Sequence, residues 1–378
     1  MLKLIHTADI HLGSKLKFLG ERAAKQRENI VSAFEASIKQ ALDKEVDLFL
    51  IAGDLFDSNN PANSTVLLAV SEIKKLLDAN IYVALIAGNH DIYDAGTVYK
   101  RADFEILTDN PYFHLFTADS ISNWNISDLN AVIYAANVTK KKRAVTQLTD
   151  FERVEAKYQV AMFHGSVDIL TDPSNYPLPL QTIKKLELDY VALGDWHGLL
   201  KVNERNPCCY YSGSPEVIAS DQSGAGSVLF VEIDNKQVKV QPVKVGQTKI
   251  EKLEVDVTAL NSALEVVDVV KHQIESIKTT ILNLTLIGEL TLTSDIDLES
   301  VRDFLNNLYF YVNIIDKTRF ALSDSEIKEH AKHFVFANYI EFIKQYKKDN
   351  PDKQEVADLA LREGLNLLIS KKNLNEAD

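Results

Sequence analysis

The stretch Ile81-Tyr82-Val83-Ala84-Leu85-Ile86-Ala87-Gly88-Asn89-His90-Asp91 decides the fold. Its first part is an apolar run closed by a glycine, which reads as a core strand. At the strand end an amide oxygen, an imidazole and a carboxylate follow in succession. They are a ligand for a hard metal, a proton carrier and a group able to orient the imidazole. An Asx-rich turn has the same composition, so these residues alone do not separate structure from chemistry. Four other places in the chain do.

Toward the N-terminus, Leu2 to His6 is a short apolar strand that runs into Thr7-Ala8-Asp9-Ile10-His11. Asp9 and His11 alternate with apolar residues, and period-two spacing puts both on one side. Asp47 to Ile51 is a second core strand, ending in Ala52-Gly53-Asp54-Leu55-Phe56-Asp57. Between these strands Ile30, Phe34, Ile38 and Leu42 recur every fourth position and predict a helix over Glu21 to Lys44. A second helix, capped near Asn63 or Ser64, carries Val66, Leu67, Val70, Ile73, Leu76 and Leu77. The order is strand, helix, strand, helix, strand. In open α/β sheets, sites form at the carboxyl ends of the strands.

Toward the C-terminus the chain is strand-rich: Ala131–Ala135, Tyr158–Phe163, Asp189–Leu193, Cys208–Ser212, Ser227–Ile233 and Val238–Val243. Two of these strands again end in polar tips, Phe163-His164-Gly165 and Leu193-Gly194-Asp195-Trp196-His197-Gly198. Between them, Thr171 to Pro179 reads as an exposed loop, either a wall of the site or plain surface. Around Gly246 the pattern changes to strand, helix, strand, helix, strand, with no cluster of chemical residues. From Ser323 onward the pattern is helical. The expected organisation is residues 1–245, a small α/β domain over 246–322, and a helical segment over 323–378.

At 378 residues the chain is long enough for two or more domains and a core that needs no disulfides. Its cysteines, Cys208 and Cys209, are adjacent and read as reduced core residues, as in a cytoplasmic protein. Met1 to Lys15 lacks the long apolar run of a signal peptide, and no stretch has the length of a membrane span. The net charge of -13 argues against an electrostatic glove for nucleic acid, because phosphate binding wants local positive charge. It leaves room for a nucleic-acid enzyme whose positive charge comes from metal ions or a partner.

The strand-end groups are Asp9, His11, Asp54, Asn89, His90, His164, Asp195 and His197. One histidine at a strand end is usually structural. Polar clusters at successive strand ends are hard to explain by packing, because each buried polar group needs a partner. Oxygen and nitrogen donors without thiolate suit Mn²⁺, with Mg²⁺, Fe²⁺ or Zn²⁺ as alternatives.

The motifs Asp9-x-His11, Gly53-Asp54-x-x-Asp57, Gly88-Asn89-His90-Asp91, His164-Gly165 and Gly194-x-x-His197 resemble, in this order, those of the calcineurin-like metallophosphoesterases. The opening Ile5-His6-Thr7-Ala8-Asp9-Ile10-His11-Leu12-Gly13, the Gly53-to-Asp57 run and Tyr211-Ser212-Gly213-Ser214-Pro215-Glu216 resemble the SbcD-type branch. Its members are exonuclease subunits of DNA double-strand-break repair. The resemblance covers about residues 1–245. Residues 246–320 match only in layout, as that branch's capping domain, and the last helices only in position.

The resemblance implies a two-sheet α/β sandwich with helices outside, a small α/β capping domain and C-terminal helices. It implies two divalent metal ions. Asp9, His11, Asp54 and His197 would hold one, and Asp54, Asn89, His164 and Asp195 the other, for hydrolysis of a phosphodiester by water. His90 would stabilise the transition-state charge or protonate the leaving oxygen, with Asp91 holding its ring. Asp57, Lys15 and Arg22 would lie on the substrate side. The implied partners are DNA, an SMC-like ATPase of the SbcC type and a second copy of the chain, with no membrane.

The chain departs from the pattern in two places. The family's usual Gly-His-x-His is here Gly194-Asp195-Trp196-His197, and position 57, often His in relatives that degrade duplex DNA, is Asp57. An Asp can ligate where a His did, leaving the cluster about one unit less positive. Otherwise Asp195 points away and water takes its place. A phosphoesterase for small or cyclic phosphodiesters and a non-catalytic scaffold are the competing functions.

Weaker signals remain. Lys140-Lys141-Lys142-Arg143 reads first as a solvated loop and second as a DNA-backbone contact. Trp124 reads as packing, Trp196 as a wall of the site, and His114 and His330 as structural. Leu361, Leu365 and Leu368 form a helical stripe, which packs on its own domain or docks an ATPase coiled coil.

Overall fold

The computed structural model describes residues 1–138, 152–168, 177–205, 207–275, 277–291, 294, 296–320 and 334–375. The run Lys140–Arg143, His330, Ser323 and most of the Thr171–Pro179 loop lie outside the described residues.

Three apolar runs, β1 (Leu2–Thr7), β2 (Leu48–Ala52) and β3 (Tyr82–Ile86), lie side by side and parallel. The connections are α1 (Ala23–Asp43) and α2 (Asn63–Asp78), whose helical periodicity buries Ile30, Phe34 and Ile38 on one and Val66, Ile73 and Leu76 on the other. A short helix α3 (Ala102–Glu105) precedes β4 (Phe113–Leu115), which extends the sheet beside β3.

The second sheet is built from β5 (Ser122–Ile126), β6 (Ala131–Ala135), β7 (Tyr158–His164), β8 (Tyr190–Gly194), β9 (Leu200–Asn203) and β10 (Cys208–Tyr211), in the order β5-β6-β7-β8-β10-β9. The chain then returns to the first sheet through β11 (Ser227–Asp234) and β12 (Gln237–Lys244), which completes the order β12-β11-β1-β2-β3-β4.

Strand alternation sorts the side chains. Leu4, Leu50, Ala84 and Ile86 of the first sheet meet Ile133, Val160, Met162 and Ala192 of the second in one core. The intervening Ile5, Phe49, Ile51 and Leu85 are equally buried on the helix-covered face. On the far side of the second sheet, α4 (Leu180–Lys184) helps cover Phe163, Val191 and Leu193. Each buried Val, Leu or Ile contributes about 1.5–3 kcal/mol. This is the expected two-sheet α/β sandwich with helices outside.

His6 shares the inter-sheet face with Leu4. Tyr190 donates its hydroxyl to Nδ1 (2.9 Å), and Nε2 donates to the Leu193 carbonyl (3.2 Å). This ring ties β1 to β8 across the sandwich. At the sheet edges Trp124 stacks on His114, with ring centres 5.0 Å apart and planes 16° apart, and meets the Tyr82 ring edge-on.

The chain divides into two compact units, Met1–Ile250 and Glu251–Asp378. The second contains β13 (Lys249–Asp256, which begins at the boundary), β14 (Thr280–Ile287) and β16 (Tyr311–Asp316), in the order β13-β14-β16, with a two-stranded pair of β15 (Glu289–Leu290) and β17 (Arg319–Phe320). Helices α5 (Ala263–Gln273) and α6 (Leu298–Asn306) are N-capped by the side chains of Ser262 and Asp297. Two further helices, α7 (Phe334–Asp349) and α8 (Gln354–Asn375), bury Phe336, Ile340, Ile343, Ala357, Leu361 and Leu365 in the same core as Val255, Leu282, Leu284 and Val312. The Leu361–Leu365 stripe thus faces its own unit. No helix among the described residues is long and apolar enough to cross a membrane.

Candidate metal centre

Beyond β1 the backbone zips onto the loop after β2. Asp9 N donates to Gly53 O (3.1 Å), His11 N to Asp54 O (3.0 Å) and Leu12 N to Leu55 O (2.9 Å). Asp9 and His11 are therefore not strand residues, and period-two alternation is not what unites them. Both are left-handed, with φ of 53° and 52°, as are Asp54 (51°) and Asp195 (98°). Such backbone is disfavoured for residues with a Cβ and persists where the surroundings over-determine it. The second sheet closes the site from the other side. Asp195 N donates to Asp9 Oδ1 (3.0 Å), and His164 Nδ1 donates to Ala52 O (2.9 Å).

Two donor groups result. In one, ligand atoms of Asp9, His11 and His197 all lie within 4.8 Å of one another; in the other, those of Asp9, Asp54 and His164 do. His11 Nδ1 lies 3.3 Å from Asp57 Oδ1, a group that can only accept, so Nδ1 carries the hydrogen. Its Nε2 is buried without a hydrogen-bond partner, 3.6 Å from Asp54 Oδ2.

His164 is similarly arranged. With Nδ1 donating to a carbonyl, Nε2 faces Asn89 Oδ1 (2.8 Å), Asp54 Oδ2 (3.3 Å) and Asp195 Oδ1 (4.0 Å). Three oxygens around one ring nitrogen need a positive centre among them, a proton or a metal ion. Asp195 turns toward this group and also accepts a hydrogen bond from the Ser166 hydroxyl.

Burial would lower the His164 ring, but Asp54, Asp9 and Asp195 outweigh it and hold the ring well above its ordinary value. Burial likewise opposes, and Asp57, Asp54 and Asp9 outweigh it, in raising His11. The field that attracts a proton to these nitrogens attracts a cation equally. Burial, then the neighbouring His11, pushes His197 down to about 3, leaving it a neutral donor. Burial pushes Asp9 up to about 7. Asp54 goes the other way: burial would raise it, but His164 and then His11 hold it below the carboxylate range.

Two glycines leave the room these side chains occupy. A Cβ on Gly88 would sit 2.2 Å from Asp54 Oδ1, and one on Gly53 would sit 2.2 Å from His164 Nδ1. The unpartnered Nε2 of His11, the oxygen-ringed Nε2 of His164 and a donor set without thiolate fit divalent metal ions.

His90 stands at the rim, 41% exposed, with its ring 4.5 Å from that of His11. Its backbone N–H donates to Asp54 Oδ1 (2.8 Å). The expected contact between Asp91 and the His90 ring does not form. Asp91 is fully buried and accepts from Gly88 N (2.7 Å), Phe56 N (3.0 Å) and the Tyr99 hydroxyl. Burial pushes it up to about 6. It ties the loop after β2 to the loop after β3. The group at His90 Nδ1 is instead the Asp57 carbonyl (3.2 Å), with the Asp57 carboxylate 4.0 Å away. Asp57, expected on the substrate side, thus sits between His11 and His90, and the three form a further donor group. The Gly53-Asp54-x-x-Asp57 spacing was the signal for it. Lys15 and Arg22 are exposed on the segment after His11, outside these donor groups.

A family model described as calcineurin-like phosphoesterase matches residues 2–199. The DNA double-strand break repair protein Mre11 of Sulfolobus acidocaldarius is 23% identical over 339 residues, 83% of this chain and 83% of that protein. A component of the SbcCD nuclease of Staphylococcus epidermidis is 26% identical over 264 residues, 63% of this chain and 67% of that protein. An uncharacterized metallophosphoesterase of Bacillus subtilis, YhaO, is 25% identical over 266 residues, 68% of this chain and 64% of that protein. The matched span takes in more than half of the chain and holds every residue of the donor groups, from Asp9 to His197. Fold, centre and sequence agree: the chain belongs to the calcineurin-like phosphoesterase family, whose members are metal-dependent hydrolases.

Proposed function

We propose that this hydrolase is a two-metal phosphodiesterase that cleaves DNA in repair or processing. Asp9, His11, Asp54 and His197 would hold one ion, and Asp54, Asn89, His164 and Asp195 the other, Mn²⁺ being the best match to the donors. When bound, two such ions polarise a phosphodiester and lower the pKa of water. The observation that carries the metal assignment is the pair of imidazole nitrogens: His11 Nε2 without a partner and His164 Nε2 ringed by oxygens.

His90 would move the proton. Its backbone is fixed to Asp54, Nδ1 donates to the Asp57 carbonyl, and Nε2 remains to serve a leaving oxygen at the rim. The DNA substrate is supported by the names of the Mre11 and SbcCD relatives. With a net charge of -13, the chain would take its phosphate affinity from the metals and from a basic partner. An SMC-like ATPase of the SbcC type suits that role. Exposed Phe334, Val335 and Phe342 on α7 and Val356 and Leu359 on α8 are the surface it would use.

The test is Mn²⁺ titration of chelator-treated protein by calorimetry, with cleavage of labelled linear DNA, bis(p-nitrophenyl) phosphate and a cyclic nucleotide in parallel. Two bound ions and DNA cleavage are expected. His90→Ala should still bind both ions while cleavage falls about 10²–10⁴-fold. Cleavage of the cyclic nucleotide but not DNA would favour the small-substrate enzyme, and loss of metal binding in wild type would favour the scaffold.

A further inference from the structure

We propose that Trp196 is a nucleobase platform, on which the base beside the scissile phosphate stacks. The proposal rests on the DNA-cleavage function above. Trp196 stands between Asp195 and His197 in sequence, so both of its chain neighbours are ligands in the proposed function, and His197 lies in a donor group with Asp9 and His11. It is 40% exposed. Among the described residues of the first unit, the other exposed large apolar side chains are Met1, Leu67 and Ile106, at the chain start, on α2 and just after α3. Trp196 alone among them is beside the centre.

The backbone on either side of it is held in place. Asp195 N is bonded to Asp9, while the His197 carbonyl accepts from Ser214 N (2.9 Å), Gln222 Nε2 (2.8 Å) and the Ser214 hydroxyl (3.2 Å). A Cβ on Gly198 would lie 3.2 Å from the indole Nε1 and 2.3 Å from Ser223 O. The indole Nε1 therefore lies close to Gly198, where any side chain would crowd both it and Ser223. Among the described residues, no aromatic ring or cation packs on the indole. A flat apolar surface held in place binds with little further loss of conformational freedom.

The charge of the chain says what that surface is for. A protein of net charge -13 gains little from phosphates outside its metals. Stacking draws on the π-face that every base has, is sequence-tolerant and needs no positive charge. A DNA strand held by its phosphodiester at the centre would present the adjacent base to Trp196.

The experiment uses the full chain loaded with Mn²⁺ and two probes of equal length, an oligothymidylate and an abasic deoxyribose-phosphate strand. In the wild type the ratio of KM values, abasic over oligothymidylate, should be about ten or more, the worth of one stacked base. In Trp196→Ala the ratio should fall toward one, and Trp196→Phe should restore part of it. In Trp124→Phe, where Trp196 is the sole tryptophan, oligothymidylate should quench the emission and the abasic strand should not. An unchanged ratio in Trp196→Ala, or equal quenching by both strands, overturns the platform and leaves DNA cleavage standing. If wild type neither binds nor cleaves either strand, the DNA function fails and the platform with it.

Discussion

His6→Gln tests the tie between the two halves of the metal centre. β1 leads into Asp9 and His11, and β8 leads into Asp195 and His197. The His6 ring joins these strands through Tyr190 and Leu193, and burial pushes it down to about 3. In the unfolded chain the same ring titrates near 6.5. The folded value is the lower one, so the contribution is whole above about 6.5 and is lost as pH falls toward 3. At pH 5 protonation favours the unfolded chain about thirty-fold, a loss of about 2 kcal/mol relative to pH 7.5. Glutamine keeps an amide donor and acceptor and does not titrate. Trp124 and Trp196 both belong to the first unit, so urea unfolding followed by tryptophan emission reports on that unit. With chelator present, bound metal adds nothing. The stability difference between wild type and variant should shrink by about 2 kcal/mol between pH 7.5 and 5. A difference that stays constant over this range would show that His6 is not held neutral between the sheets.

Gly88→Ala places a Cβ 2.2 Å from Asp54 Oδ1, so the carboxylate proposed to serve both ions must move by roughly 1 Å; Mn²⁺ affinity and cleavage should fall about 100-fold, and an unchanged calorimetric isotherm would contradict the proposed role of Asp54. Asp195→His removes one negative charge from the proposed ligands of the second ion and should weaken Mn²⁺ binding, whereas equal affinity would mean that Asp195 is no ligand. Leu365→Ala empties a fully buried position in the second unit and should lower that unit's stability by about 2–5 kcal/mol, read as an earlier calorimetric transition, with bis(p-nitrophenyl) phosphate hydrolysis retained. An unmoved transition would show that α8 does not support the core.

The parallel half of each sheet was legible because its strands are buried on both faces and read as continuous apolar runs. Leu48 to Ala52 and Tyr82 to Ile86 are of this kind. The edges were not. β4 and β9 are three and four residues long, and β5, Ser-Asn-Trp-Asn-Ile, has a polar, half-exposed face. Such segments become strands through a neighbour's hydrogen bonds, as β5 does on β6, and carry little periodicity of their own. The last helices pose a related problem. The 361–365 spacing announces an apolar face but cannot say whether it meets its own unit or another protein. Burial in one core with Leu282 and Leu284 settles that for Leu361 and Leu365, and leaves Leu359 exposed.

At the metal centre the residue types were legible and their partners were not. Asp, His and Asn at successive strand ends were visible because few side chains can hold a hard cation. Which carboxylate serves which imidazole depends on loop backbone. Asp91 is next to His90 in sequence, yet its oxygens go to the N–H groups of Gly88 and Phe56 and to Tyr99. Those groups are buried and would otherwise lack an acceptor. Asp57 is thirty-three residues from His90, and reaches it because Leu12 pairs with Phe56 and Asp57 N donates to Leu12 O (3.1 Å). The same zipper puts the Asp57 carboxylate on His11 Nδ1 and so turns Nε2 inward. One loop pairing thus orients the His11 imidazole of the candidate centre and the rim histidine together. It also relies on Asp9, His11 and Asp54 all adopting left-handed backbone, which no spacing rule announces.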